Sequence, residues 1–266
     1  MQGQVTREAA PATIAGLTTR WLGRRYEHHA TCGSTNDLAA GMARAGAPAG
    51  LVVAADAQTA GRGRMGRTWH SPAGEHLYFS VLLRPGRRAA DIPPVTLLVG
   101  AVVAEVVAAL GVMPRLKWPN DVQVVDAAGR VRKLAGILTE MTSAGDAVEH
   151  AVIGVGLNVN GVDFPGELAE RATSLRRELG RTVDRGALLA SLLNALEPAL
   201  DDYERQGPAA AVQAFGKYSA FPAPCRVTTA GAPLAGTALG VELDGALLVR
   251  DDGGRVHRVL SGELLP

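Results

Sequence analysis

Between Arg115 and Val159 the chain alternates apolar segments with turns too short to carry a crossover. Arg115–Trp118 and Asp121–Val125 read as short strands around a Pro-Asn corner. Ala127-Ala128-Gly129 then turns the chain into Arg132–Met141, and Ser143-Ala144-Gly145-Asp146 turns it into Val148–Val159. Parallel neighbours need a connection of a dozen or more residues, whereas antiparallel ones close through a tight turn. This stretch must therefore build an antiparallel sheet around which the other elements pack.

Those other elements carry their own signals. Residues before Arg25 read as a short helical lead-in, and Ser34-Thr35-Asn36 offers capping chemistry to a helix running through Leu38, Ala39 and Met42. Leu51–Ala55 and His76–Leu83 read as buried strands. Pro93-Pro94 opens a helix whose apolar run, Val95 to Leu110, carries Glu105 and is short for a membrane span. Helices follow near Asp184–Tyr203 and Pro208–Tyr218. In the first, Leu188, Leu189, Leu192, Leu193, Leu196 and Leu200 form a core-facing stripe. The expected fold class is α+β, a mixed, mainly antiparallel sheet with helices on one face.

From Phe221 the texture changes to short strands with Gly and Asp turns: Arg226–Thr229, Gly236–Leu243, Ala246–Arg250 and Val256–Leu260. That predicts a small C-terminal β-barrel over 221–266, appended to a main domain over 1–220. A net charge of +1 lacks the broad basic field of a nucleic-acid binder. Cys32 and Cys225 are far apart in no redox or metal motif, and no signal peptide is visible, so a cytoplasmic protein off the membrane is expected.

Chemistry concentrates in Gly61-Arg62-Gly63-Arg64-Met65-Gly66-Arg67. Glycine lets the backbone approach a ligand, and each guanidinium fits carboxylate or phosphate oxygens. The loop formally matches G-x-G-x-x-G, but it leads through Trp69 into a strand, so the dinucleotide reading lacks its helix. No Walker sequence, nucleophile elbow or metal-spaced histidine cluster is present. Lys117-Trp118-Pro119-Asn120-Asp121 is a second constellation, a corner led by a lysine that can reach a phosphate. Lys133 begins a strand interrupted by Gly136, and Gly154-Val155-Gly156 interrupts another. Glycine weakens a strand unless something must approach closely, which suggests a ligand lying flat on the sheet.

Taken together, Ser34-Thr35-Asn36, Gln58, Gly61–Arg67, Trp69, Lys117–Asp121, Lys133–Leu138, Gly154–Asn158 and Ala172–Leu175 resemble the biotin protein ligases. The resemblance implies an SH2-like catalytic domain of the class II synthetase type and an SH3-like C-terminal barrel. It also implies an activity: biotin and ATP give biotinyl-5′-AMP, and biotin passes to a lysine of a carboxyl carrier domain such as that of acetyl-CoA carboxylase. By position, Ser34, Thr35, Asn36 and Gln58 hold biotin's polar ring. Gly61, Arg62, Gly63 and Arg64 cover its valerate, and Gly136 and Gly156 leave room for its bicycle. Arg64, Arg67, Lys117 and Asn120 serve the phosphates, with Trp69 and Asn158 on the adenosine side. Lys133 sits between the carboxyl and the α-phosphate, so Lys133, Arg64 and Lys117 are the expected catalytic cations. Asp121 orients neighbouring groups or the incoming lysine.

Magnesium is expected to arrive with ATP, without a dedicated metal site. Only 33 residues precede Ser34, with no winged helix-turn-helix pattern, so DNA is not an expected partner. A monomer or weak homodimer is expected. A lipoate or octanoate ligase of the same fold competes with this reading, but a dithiolane tunnel needs no polar set like Ser34, Thr35, Asn36 and Gln58. A nucleic-acid module built on Arg62, Arg64 and Arg67 needs a wider basic face with stacking aromatics, which this chain lacks.

Overall fold

The computed structural model describes residues 14–126, 129–229 and 233–265. The expected turn at Ala127-Ala128 and the first half of the lead-in lie outside them. Seven strands form the main sheet: β1 (Tyr26–Cys32), β2 (Val52–Gln58), β3 (Leu77–Leu83), β4 (Pro114–Lys117), β5 (Asp121–Val125), β6 (Val131–Ala144) and β7 (Ala147–Leu157). Their order is β1-β2-β3-β7-β6-β5-β4. The β4–β5–β6–β7 ladder is antiparallel, as the short connections require, while β1 lies parallel to β2. That pair is joined across α1 (Thr35–Arg44), the crossover a parallel pair needs. β1 was not anticipated, because Tyr-Glu-His-His-Ala-Thr-Cys has no apolar alternation. It is an edge strand with no fully buried position.

Alternation along the strands divides the sheet into two unlike faces. Phe79, Val81 and Leu83 of β3, with Ile153, Val155 and Leu157 of β7, join the main core. That core includes α2 (Pro93–Ala109), α5 (Arg185–Gln206) and α6 (Pro208–Gly216). α2 is apolar on all sides because it is enclosed; only with the preceding turn, over Ala89–Ala109, does it reach the length and composition of a membrane span, and that stretch is largely buried. α1 is the exception to helices gathering on one face. Its Ala39 and Ala43 pack on Val53, Leu82 and Val152, residues of the opposite side. The two short helices α3 (Leu168–Arg171) and α4 (Leu175–Leu179) were not read from the sequence.

Residues 14–25 are turns rather than the expected helix. Glu197 of α5 holds them by accepting the backbone N–H groups of Arg20, Trp21 and Leu22 at 2.7, 2.8 and 2.8 Å. Burial opposes that charge, yet the N–H groups outweigh it and hold the carboxyl below its ordinary range. Asp201 of the same helix accepts Trp21 Nε1–H at 3.1 Å.

The C-terminal strands β8 (Ala223–Thr228), β9 (Leu234–Val241), β10 (Leu247–Arg250), β11 (Val256–Val259) and β12 (Glu263–Leu265) form a five-stranded antiparallel sheet ordered β11-β10-β9-β8-β12. Val227, Ala238, Leu247 and Val249 join the main core, so this sheet is docked rather than tethered. Trp118, fully buried, pins it by donating Nε1–H to the Gly245 carbonyl at 2.9 Å.

Candidate functional site

On the face that carries α1, strand register lines up a row of residues. Lys117 of β4 pairs with Asp121, Asp121 with Gly136, Gly136 with Gly156, and Gly156 with Tyr78. Directly paired residues point to the same side. Two adjacent glycines therefore open a trough in the sheet, with Asp121 and Lys117 at its end. Lys133 joins them through a bulge. Val122 pairs with Ala135 but Gln123 with Lys133, so Leu134 is an extra residue in β6. Without that insertion Lys133 would share the side of Ala135 and Ile137, facing the core; the bulge re-aims it onto the trough.

The arginine loop folds over this trough as a small hairpin. Gly63 N–H bonds the Arg67 carbonyl at 2.7 Å and Trp69 N–H the Gly61 carbonyl at 2.9 Å. Gly61 is required at its base, because a Cβ there would lie 2.7 Å from both Ser71 Oγ and the Trp69 carbonyl. Met65 at the tip takes φ 57°, uncommon for a residue with a side chain, and is exposed.

The flat group lying on the two glycines in this structure is the Trp69 indole. A Cβ on Gly156 would stand 2.5 Å from the indole, and one on Gly136 would stand 3.0 Å from it. Lys133 Nζ lies 5.2 Å from the indole centroid and 2.6 Å from Asp121 Oδ1.

Beyond Gly154 a polar chain continues toward α1. Ser34 occupies the N-cap position of α1 but its side chain makes no capping bond. Gln58 supplies that acceptor instead, taking Thr35 N–H at 2.9 Å. Gln58 Nε2 donates to Ser71 Oγ at 3.1 Å, and Ser71 to the Trp69 carbonyl at 3.0 Å. Asn36 Nδ2 donates to Glu140 at 2.7 Å, and Asn36 Oδ1 accepts from Ser80 at 2.6 Å.

The cations are not free. Arg62 meets Asp37 at 2.6 Å and Glu140 at 2.8 Å; burial opposes its charge, but the two acids outweigh that and raise its pKa. Arg67 is held by both oxygens of Glu263, one of them at 2.7 Å. Arg64 donates to the Gly262 carbonyl at 3.2 Å. Burial pulls the pKa of Arg64 and of Lys117 downward, with Asp121 and Glu263 opposing it in both cases. Arg64, Arg67, Lys117 and Lys133 thus face the acids Asp121 and Glu263, leaving an excess of positive charge.

A cleft of about 970 Å³ joins these parts. Ser34, Thr35, Asn36 and Gln58 line one end, and Lys117, Asn120, Lys133 and Asn158 the other. Arg62, Gly63, Arg64 and Arg67 of the loop line it together with Trp69, Gly136 and Gly156, whereas Gly61 at the loop's base is not among the lining residues. Asn158 and Asn120 are turned to the backbone, donating to the Thr173 carbonyl at 3.0 Å and the Ile137 carbonyl at 2.9 Å. The sequence reading missed Asp37, Ser80, Glu140 and Glu263. Ser80 alone gave a signal, as a lone hydroxyl inside an apolar strand.

Residues 28–158 match the Biotin/lipoate A/B protein ligase family. The bifunctional ligase/repressor BirA of Bacillus subtilis is 36% identical over 253 residues, covering 94% of this chain and 76% of the relative. The biotin–[acetyl-CoA-carboxylase] ligase of Mycobacterium tuberculosis is 34% identical over 264 residues, covering 95% of this chain and 92% of the relative. The Aquifex aeolicus biotin protein ligase in complex with biotin and ATP superposes with a TM-score of 0.76 at 27% identity, covering 91% of this chain and 98% of that one. With its strand order, its arginine loop and relatives matched at this length, the chain belongs to the biotin protein ligase family.

Proposed function

We infer that this cleft activates biotin with ATP, forming biotinyl-5′-AMP and pyrophosphate, and then passes biotin to a lysine of a biotin carboxyl carrier domain of acetyl-CoA carboxylase or a related carboxylase. The observation that carries the reading is the convergence of Lys117, Lys133, Arg64 and Arg67 on one trough, next to a separate neutral polar end. Joining a carboxylate to a phosphate brings two anions together. At 4 Å their repulsion costs roughly 4 kcal/mol at an effective dielectric near 20. Fixed cations offset it, and they matter more as charge builds in the transition state. A cleft near 970 Å³ is also large enough for two substrates end to end.

In this reading Ser34, Thr35, Asn36 and Gln58 meet the neutral ring, and Arg62 with the loop backbone covers the valerate. Arg64, Arg67, Lys117 and Asn120 meet the phosphates, with Trp69 and Asn158 beside the adenosine. Lys133 moves from Asp121 to the reacting oxygens as an electrostatic stabiliser, not a nucleophile. Asp121 then holds no cation of its own and is placed to orient the incoming lysine. Magnesium enters as the ATP complex, bound by phosphates; among the described residues no group of three or more His, Cys, Asp or Glu could hold it. The free thiols of Cys32 and Cys225 suit a cytoplasmic setting. Residues 221–266 serve as a small second domain whose Gly262 and Glu263 hold the loop. The working form in this reading is a monomer or weak homodimer.

The test is biotin-dependent exchange of labelled pyrophosphate into ATP, followed by transfer of labelled biotin to a carrier domain, with lipoate as competitor. Exchange that requires biotin and resists lipoate is the expected result. Exchange driven by lipoate instead would move the chain to the other substrate class.

A further inference from the structure

We propose that Glu140 is a positioning residue for recognition of the vitamin's ureido ring, acting through Asn36 and Arg62 together; the proposal rests on the biotin reading above. Glu140 Oε2 accepts Asn36 Nδ2 at 2.7 Å and Arg62 Nη2 at 2.8 Å, and Oε1 accepts Arg62 Nη2 at 2.9 Å. It is the one place where the polar end of the cleft and the arginine loop share a partner among the described residues.

That carboxylate fixes where hydrogens lie further along. Asn36 Nδ2 spends its second hydrogen on the Leu138 carbonyl at 3.3 Å. A carboxylate and a carbonyl only accept, so the Asn36 amide cannot flip. Its Oδ1 must then take the single hydrogen of Ser80, 2.6 Å away. With that hydrogen spent on Asn36, Ser80 Oγ is an acceptor 2.8 Å from Thr35 Oγ1, whose own hydrogen is shared between it and Gln58 Oε1 at 3.2 Å. Gln58 Oε1 keeps Thr35 N–H, which leaves Gln58 Nε2 directed at Ser71. A flat ring with one carbonyl and two N–H groups needs donors and acceptors in a set order; Glu140 sets the Asn36–Ser80 part of it, and the Thr35 backbone N–H sets Gln58.

Stability is not what the arrangement supplies. The side chains of Arg62 and Glu140 are 40% and 45% exposed, and ion pairs that open to water contribute little to folding. Asp37 holds only the other nitrogen of Arg62, at 2.6 Å, and does not touch Asn36 in the way Glu140 does. Asp37 therefore serves as the comparison residue.

The experiment measures KM and kcat for biotin and for ATP by pyrophosphate exchange in the wild type, Glu140→Ala, Glu140→Gln and Asp37→Asn, with melting temperatures alongside. Glu140→Ala is expected to raise the biotin KM about tenfold, the scale of one charge-assisted hydrogen bond, with kcat and the ATP KM within about twofold. Glu140→Gln falls between it and the wild type, because its one oxygen can still serve Asn36. Asp37→Asn has a smaller effect than Glu140→Ala. A biotin KM within about twofold of wild type in Glu140→Ala overturns the proposal, as does a loss of kcat with the biotin KM unmoved. An Asp37→Asn effect equal to that of Glu140→Ala also overturns it, since Glu140 would then act through Arg62 alone. A wild type that shows no biotin-dependent exchange strikes the ligase reading instead.

Discussion

Strand β7 presents two different surfaces from alternate residues. Ile153, Val155 and Leu157 turn toward the helices and fill the core, while Gly154 and Gly156 turn toward Asn36 and Trp69 and fill nothing. Over residues 153–157 one side of the strand carries bulk and the other lacks it. The contrast separates two kinds of damage: changes on the helix side should alter how well the protein folds, and changes on the trough side what the folded protein does.

The largest expected break in that contrast is Lys133→Ala. Removing one preorganised charge from a reacting centre typically slows the step about 10²–10³-fold. Among the described residues the Lys133 side chain is paired with Asp121 and the face of Trp69, so the melting temperature should barely move. Single-turnover formation of biotinyl-AMP checks it, and near-normal turnover would remove Lys133 from the chemistry.

Next in size is a titration that crosses the divide. His76 shares the trough side with Tyr78 and Ser80 but is buried, stacked at 5.8 Å on Phe164, with Nδ1 accepting Val159 N–H at 3.0 Å. Burial, with His70 and Arg185 adding to it, pushes its pKa down to about 4. The unfolded chain, with an ordinary value near 6.5, then binds the proton more readily than the fold does. Stability from neutral His76 is complete above about pH 6.5 and is lost as the pH falls toward 4, by up to about 3 kcal/mol in all. Melting temperature against pH should show an acid limb over that window. His76→Phe should flatten the limb whatever it does to the melting temperature at pH 7, and an unchanged limb would assign it to other groups.

Such features mark where sequence reasoning reaches and where it stops. The leucine stripe of α5, the hairpins from β4 to β7 and the change of texture at Phe221 follow from periodicity and turn chemistry, so they were legible. The cations of the cleft were legible as well, because they cluster in short motifs. Their partners were not. Asp37, Glu140 and Glu263 come from α1, β6 and β12, and only the folded chain brings them to one loop. The bulge at Leu134 that turns Lys133 depends on pairing register, which no local pattern states. The glycines pointed to a ligand lying flat on the sheet; that the Trp69 indole rests there depends on how the loop folds back, which no local pattern states.

A finer test sets two small changes on β7 side by side. Ile153→Val removes one buried methylene and should cost about 0.5–1.5 kcal/mol, with the folded enzyme's kcat near wild type. Gly156→Ala adds one carbon 2.5 Å from the indole, so Trp69 must shift. Its effect should fall on the KM values for biotin and ATP, several-fold, with a smaller fall in melting temperature. If the two variants exchanged signatures, the division between the faces would be wrong.

The smallest expected effect lies where the C-terminal sheet meets the loop. Glu263 holds Arg67, and the Arg67 hydrogen bonds, with burial opposing, keep the Glu263 carboxyl below its ordinary range. Arg67 is 63% exposed, so losing the pair should change stability by less than about 1 kcal/mol. Its consequence is local charge. Glu263→Gln frees Arg67 and removes a negative group that also acts on Lys117. An incoming polyphosphate then meets a more positive trough, and the KM for ATP should fall by about two- to threefold at low salt. Screening shortens the reach of these charges to about 8 Å at physiological ionic strength, so the gain should shrink as salt is added. A KM for ATP that rises in Glu263→Gln, or one that ignores salt, would show that Glu263 shapes the loop rather than its potential.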